Sequence, residues 1–244
     1  MSKARYAIYF SPETKSPLWR LGSCWLGRDS ASGESMKRLS IKGIKDARIA
    51  EITATPRHYG FHATLKAPFY LAKDLDRQML DESLEAFCAG HKPFKVPALH
   101  LNVLDDFIAL YPVKKCQDLD DFAADCVRAF DIFRAPPTKE ETKKRLGADL
   151  TAKQKKLLDK WGYPYVMDEY RFHMTLTERL KTKERMAVLE GLAEEVKDLS
   201  QDKAWTFDTI TLVRQKNAKE MFKVLKSYTF SRASTSRWPT KIQK

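Results

Sequence analysis

The chain has 244 residues and a formal net charge of +12, with 43% hydrophobic and 31% charged residues. That length can bury a substantial core in one large domain or two packed lobes, and the composition excludes a disordered chain. No apolar run is long enough to cross a bilayer, which excludes a membrane-spanning helix, and the basic excess favours a phosphorylated or polyanionic partner.

In chain order, residues 5–10 alternate and are rich in aromatic and β-branched side chains, the pattern of a first strand rather than a signal peptide. A cytoplasmic address is the default expectation. Residues 18–26 carry apolar side chains at helical spacing and 27–33 form a loop; the stretch up to Pro56 fits no one pattern. Residues 59–70 read as a strand. Residues 75–89 read as an amphipathic helix with Leu75, Met79, Leu84 and Phe87 inward, closed by Gly90. Residues 94–104 and 107–113 form a hairpin around Asp105-Asp106, and 119–133 a helix.

A proline-stiffened break at 134–138 leads into a lysine-rich stretch and a short helix over 151–161. A strand over 170–177, a helix over 182–199 and strands over 205–214 and 221–231 complete the series. Strand, helix and hairpin recur in the same order, which predicts an α+β fold of two related halves. The predicted organisation is a single domain over 1–232, a lid insertion at 134–165 and a flexible tail over 233–244. Cys24, Cys88, Cys116 and Cys126 lie too far apart for a disulfide framework or zinc site and are expected to be reduced.

One motif occurs twice, as Phe61-His62-Ala63-Thr64-Leu65-Lys66 and as Phe172-His173-Met174-Thr175-Leu176-Thr177. Strand side chains alternate between faces, so His62, Thr64 and Lys66 share one face, as do His173, Thr175 and Thr177. Two such strands related by a pseudo-twofold place two histidines across a cleft. Cleaving a phosphodiester needs a group to take a proton from water and another to protonate the departing oxygen. Imidazole, with an ordinary pKa near 6.5, suits both tasks. The Thr64 and Thr175 hydroxyls can donate to non-bridging phosphate oxygens, and Lys66 can add charge at the transition state. The scheme requires no metal and no cofactor, and the sequence has neither a metalloprotease motif nor a Walker loop.

The paired H-x-T strands resemble the 2H phosphoesterase superfamily, which includes the RNA 2′,3′-cyclic phosphodiesterases. The resemblance is closer to a branch labelled as phosphonate-metabolism proteins. It rests on residues 5–10, Trp25-Leu26-Gly27-Arg28-Asp29, residues 59–69, Phe133-Arg134-Ala135-Pro136, residues 161–166 and residues 171–177. It implies a bilobal α+β fold, with two pseudo-symmetric antiparallel sheets flanked by helices around a central cleft. It also implies that His62 and His173 are the acid/base pair and that Thr64 and Thr175 bind phosphate.

Other residues carry two readings each. Lys66 contacts phosphate or reaches solvent; Arg171 binds phosphate or forms a surface ion pair. Tyr9, Tyr59, Tyr163 and Tyr165 stack on a ligand ring or pack in the core. Arg134 forms a cleft wall beneath the lid or belongs to a charged surface excursion. The basic stretch 139–156 tracks a nucleic-acid backbone or is a solvated helix. The expected reaction is hydrolysis of a small ribose-derived or nucleotide 2′,3′-cyclic phosphate. Processing of RNA ends and a non-catalytic nucleotide-binding role are the alternatives. The expected partner is a small phosphorylated substrate, with neither a membrane nor an obligatory protein partner.

Overall fold

The structure, a computed structural model, describes residues 4–138, 150–197 and 203–231. Among the described residues nine strands form two antiparallel sheets: β1 (Arg5–Phe10), β2 (Ala63–Tyr70), β3 (Phe94–Val96), β4 (Leu99–Leu104), β5 (Phe107–Pro112), β6 (Met174–Thr175), β7 (Trp205–Phe207), β8 (Thr209–Gln215) and β9 (Lys223–Thr229). The larger sheet has seven strands in the order β4-β5-β6-β2-β1-β8-β9, and the smaller pairs β3 with β7. The α+β expectation and its two antiparallel sheets hold, with the strands divided seven and two and both H-x-T segments in the larger sheet.

The helices are α1 (Pro17–Leu26), α2 (Asp46–Ile52), α3 (Ala54–Tyr59), α4 (Arg77–Ala89), α5 (Gln117–Phe130), α6 (Ala152–Trp161) and α7 (Thr182–Val196). Local chemistry sets their ends. Ser16 accepts a hydrogen bond from the Trp19 N–H with Pro17 at the first position of α1, and Thr151 and Gln154 form a reciprocal capping box on α6. Gly27 and Gly162 close α1 and α6 in the left-handed conformation, at φ 69° and 71°. No helix among the described residues is long and apolar enough to cross a membrane.

One face of the large sheet carries the core. Ile8, Phe10, Ala63, Leu65, Leu110 and Leu212 are buried there, in one cluster with Leu80 and Leu84 of α4, Phe122 and Phe130 of α5, and Val188 and Leu192 of α7. Burial on this scale is worth roughly 25 cal/mol per Å² of apolar surface removed from water. The opposite face carries Ala7, Tyr9 and Val213, covered by Phe222, and this second face opens into a cleft.

Several predicted boundaries shift. The unassigned 46–59 region is helical, so Tyr59 ends α3 and the strand begins only at Ala63. Met79 is 42% exposed, and α4 turns Leu80, Leu84, Phe87 and Cys88 inward instead. The predicted 94–104 and 205–214 strands each split, because their first three residues pair with each other as the small sheet. The strand expected over 170–177 contracts to Met174–Thr175. The predicted tail from 233 and most of the 139–156 basic stretch lie outside the described residues.

Candidate active site

The register of β2 with β6 builds the site. Ala63 pairs with Met174 in antiparallel fashion. Each residue is the middle of its H-x-T motif, so continuing the register sets His62 across from Thr175 and Thr64 across from His173. Cross-strand partners share a face, as do residues two apart. The histidine and threonine side chains of both motifs therefore meet on the face opposite the core, and all four line one cleft of about 660 Å³.

Each imidazole is tethered in the same way. His62 Nδ1–H donates to the Gly60 carbonyl at 2.8 Å, and His173 Nδ1–H donates to the Arg171 carbonyl at 2.7 Å. With Nδ1 committed as donor, the neutral ring leaves Nε2 free to accept a proton. At His62 the Thr64 hydroxyl lies 3.1 Å from Nε2 and donates to it. The two rings differ in their supports. His62 stacks on Tyr9 with ring centroids 3.7 Å apart, whereas His173 meets Phe107 in a tilted contact at 5.6 Å.

Electrostatics distinguish them further. Burial pulls His62 down to about 4, against the hydrogen bond to Gly60, and His173 adds to the depression when it is itself protonated. Burial also lowers His173, opposed by its bond to the Arg171 carbonyl. Both rings are thus neutral near pH 7. An anion bound between them would favour the protonated form of either ring.

The second motif is pinned from several directions. Trp25, fully buried, donates from Nε1 to the Leu176 carbonyl at 2.8 Å. Glu178 accepts from the Thr55 N–H and hydroxyl at 3.0 and 2.7 Å. The Thr177 hydroxyl accepts from the Ile108 N–H at 3.0 Å. These contacts hold a strand of only two residues in register with β2 and β5.

Tyr9, Tyr59, Tyr163 and Tyr165 all line the cleft. Tyr9 is 1% exposed, so it supports His62 from beneath rather than offering a free face to a ligand. Tyr163 and Tyr165 meet edge to face at 5.7 Å, and Tyr165 is exposed at the mouth. Arg171 also lines the cleft, but its guanidinium is paired with Asp105 at 2.9 and 3.3 Å.

Two predicted ligand contacts are corrected. Lys66 does not face the cleft. Tyr9 pairs with Thr64 and Ile8 with Lys66, so one step along β1 matches two along β2. Leu65 is the extra residue of a β-bulge, which turns Lys66 to the core face. There Lys66 is 3% exposed and its Nζ contacts Asp131 Oδ1 at 3.1 Å. Arg134 does not wall the cleft either: it donates to both Asp131 oxygens at 2.8 and 3.0 Å and to the Lys160 carbonyl at 3.1 Å. Asp131 is the common anchor, and alternation alone gave no sign of it.

Gly60, which sequence reasoning passed over, lines the cleft and accepts the His62 hydrogen bond. Its φ of 84° aims the carbonyl at His62, and a Cβ there would lie 2.6 Å from Ser30 Cβ. A glycine two residues before the first histidine was the available signal. Among the described residues no group of three or more His, Cys, Asp or Glu side chains converges as metal ligands would.

A family profile described as "Protein of unknown function (DUF1045)" matches residues 64–223, a span that includes Thr64, His173 and Thr175. Two curated relatives are both named ribose 1,5-bisphosphate phosphokinase PhnN. The protein from Janthinobacterium sp. (strain Marseille) is 44% identical over 73% of this chain and 40% of its own length. The protein from Laribacter hongkongensis (strain HLHK9) is 34% identical over 72% of this chain and 40% of its own. The chain thus spans about two fifths of the length of these relatives. Among solved structures, E. coli LigT complexed with 3′-AMP is similar at 10% identity and a TM-score of 0.41, over 95% of this chain and 100% of that one. A structure described as a phosphoesterase is similar at 10% identity and a TM-score of 0.40, over 93% and 99%.

Proposed function

Since the chain belongs to the DUF1045 family, whose function is unknown, its activity is read from its own cleft, and we propose a phosphodiesterase that opens a small cyclic phosphate without a metal ion. The convergence of two identically tethered H-x-T motifs through the Ala63–Met174 pairing carries this reading. The phosphorus sits between the imidazoles; the Thr175 hydroxyl donates to one non-bridging oxygen, and the Thr64 hydroxyl turns from His62 Nε2 to donate to the other, which frees Nε2 to act as a base. His62, the more strongly depressed, stays unprotonated and takes the proton from the attacking water. The new P–O bond forms as the ring P–O bond breaks, and protonated His173 gives its proton to the departing ribose oxygen. The product is a phosphomonoester with a free hydroxyl, and both histidines return to their starting states by exchange with solvent.

Cleft size supports a small substrate. A volume of about 660 Å³ accommodates a sugar phosphate or one nucleotide, within the ordinary range of ligand pockets. Arg171 and Arg179 at the mouth are already paired with Asp105 and Asp106, which leaves them poorly placed to track a long polyanion. The curated relatives' name refers to a ribose phosphate. It describes proteins of which this chain spans two fifths, and the chain has no Walker loop for kinase chemistry, so the name contributes a substrate class alone. Ribose-derived cyclic phosphates and nucleoside 2′,3′-cyclic phosphates are the substrates to offer first.

The test is turnover of such a panel, with RNA ends included, in the presence of chelator. Replacing either histidine by alanine is expected to reduce turnover by about 10²–10⁴-fold. Turnover that disappears with chelator, or that survives loss of either histidine, refutes the two-histidine reading.

A further inference from the structure

A group of three arginines behind α3 lies outside the cleft and takes no part in the proposed reaction. It begins with the turn that ends α1. Gly27 adopts φ 69°, and a Cβ there would fall 2.7 Å from Arg38 Cζ, so glycine both caps the helix and lets the Arg38 guanidinium lie on the turn. Arg38 Nη1 donates to the Trp25 carbonyl at 3.1 Å and to Thr53 Oγ1 at 2.8 Å. Arg28, 5% exposed, donates to the carbonyls of Phe222 at 2.6 Å and Arg57 at 3.3 Å.

Arg28 and Arg38 are therefore held by neutral oxygens. Arg57 has less. Its Nη1 approaches Met221 Sδ at 3.9 Å, and its Nε is shut off from water with no hydrogen-bond partner. Among the described residues no carboxylate forms an ion pair with any of the three. Asp29 is near Arg28, but its oxygens accept from the Ala31 and Ser32 N–H groups and from Trp19 Nε1. The cations feel one another: Arg28 and Arg38 are both pulled below the ordinary arginine value, first by burial and then by the charge of Arg57.

Arginine does not shed its proton in proteins, so such a group is relieved by an anion rather than by neutralisation. We infer that Arg57, with Arg28 and Arg38 beside it, forms a binding site for a phosphate-type oxyanion distinct from the two-histidine cleft. The two terminal nitrogens of a planar guanidinium match two oxygens of such an anion, and carbonyl-anchored neighbours add charge without needing to move. Thr55 and Tyr59 of α3 line the cleft while Arg57 does not, so the helix separates the two sites.

The test uses the full chain carrying His62→Ala and His173→Ala, so that the cleft histidines contribute nothing. Inorganic phosphate and ribose 5-phosphate are titrated by calorimetry at low ionic strength, with and without Arg57→Gln and Arg57→Lys. Saturable binding weakened at least about tenfold by Arg57→Gln, and partly restored by Arg57→Lys, is the expected result. Equal affinity for the two probes identifies a site for the free ion; tighter binding of the sugar phosphate identifies one for phosphomonoesters. In phosphate-free buffer Arg57→Gln should melt no lower than its parent, because it removes like-charge repulsion and only a thioether contact. No saturable binding, or binding unchanged by Arg57→Gln, overturns the inference.

Discussion

Ala63 and Met174 face each other across the β2–β6 pair, and that one pairing brings both H-x-T motifs together. Neither residue has chemistry of its own. Both are 0% exposed, and their burial in the core is what turns the flanking histidines and threonines into the cleft. A slip of one residue in this register would send the functional set to the wrong face.

His62 makes stability depend on acid. Its folded value of about 4 lies below the ordinary histidine value, so between about 6.5 and 4 the unfolded chain binds more protons than the folded one. The stability contributed by the neutral ring is complete above that window and is lost as pH falls through it. His62→Asn is expected to flatten this part of the profile relative to wild type, as read from urea unfolding at pH 7, 6, 5 and 4. Parallel profiles for the two proteins would contradict the depressed value.

Gly60→Ala is expected to cost about 1–3 kcal/mol, since an L side chain at φ 84° is strained and its Cβ would collide with Ser30. Turnover should fall as well, because the Gly60 carbonyl orients His62. Denaturant midpoints and kcat measured on one preparation check both parts. An alanine variant as stable and as active as wild type would show that the carbonyl does not hold the ring.

Lys66 is assigned to stability, not to substrate. Breaking its buried contact with Asp131 by Lys66→Ala should cost up to about 3 kcal/mol, moderated because Arg134 still pairs with the carboxylate. KM should change by less than about twofold, since no substrate contact is lost. A large rise in KM at unchanged stability would instead return Lys66 to the cleft.

Tyr9 acts through its ring face. Tyr9→Phe keeps the stack beneath His62 and should retain nearly full turnover. Tyr9→Leu lets the imidazole tilt and should lower kcat by about tenfold or more with little change in KM. Equal loss in both variants would point to the phenol hydroxyl as the working group.

How much of this was legible without coordinates can be judged residue by residue. The pair His62 and His173, with Thr64 and Thr175, was visible because a repeated polar-apolar-polar triplet on a strand is a local pattern, and the cleft gathers all four. The α+β class followed from hydrophobic periodicity for the same reason. Lys66 was misplaced because strict alternation has no term for a bulge, and the bulge at Leu65 depends on pairing with β1, about fifty residues earlier in the chain. Arg134 was misplaced because its partner Asp131 lies in a 3-10 turn that continues α5.

The sequence by itself determined which side chains could do acid/base chemistry, because side-chain type and strand period are properties of neighbouring residues. Only the tertiary structure decided that the motifs lie side by side, that Gly60 and Arg171 supply the matching carbonyls, and that Tyr9 supports just one imidazole. It also decided that Arg28, Arg38 and Arg57 collect behind α3 with no carboxylate among the described residues to offset them. Those facts are set by long-range register and by burial, where desolvation and the partners each group finds outweigh what its sequence neighbours can specify.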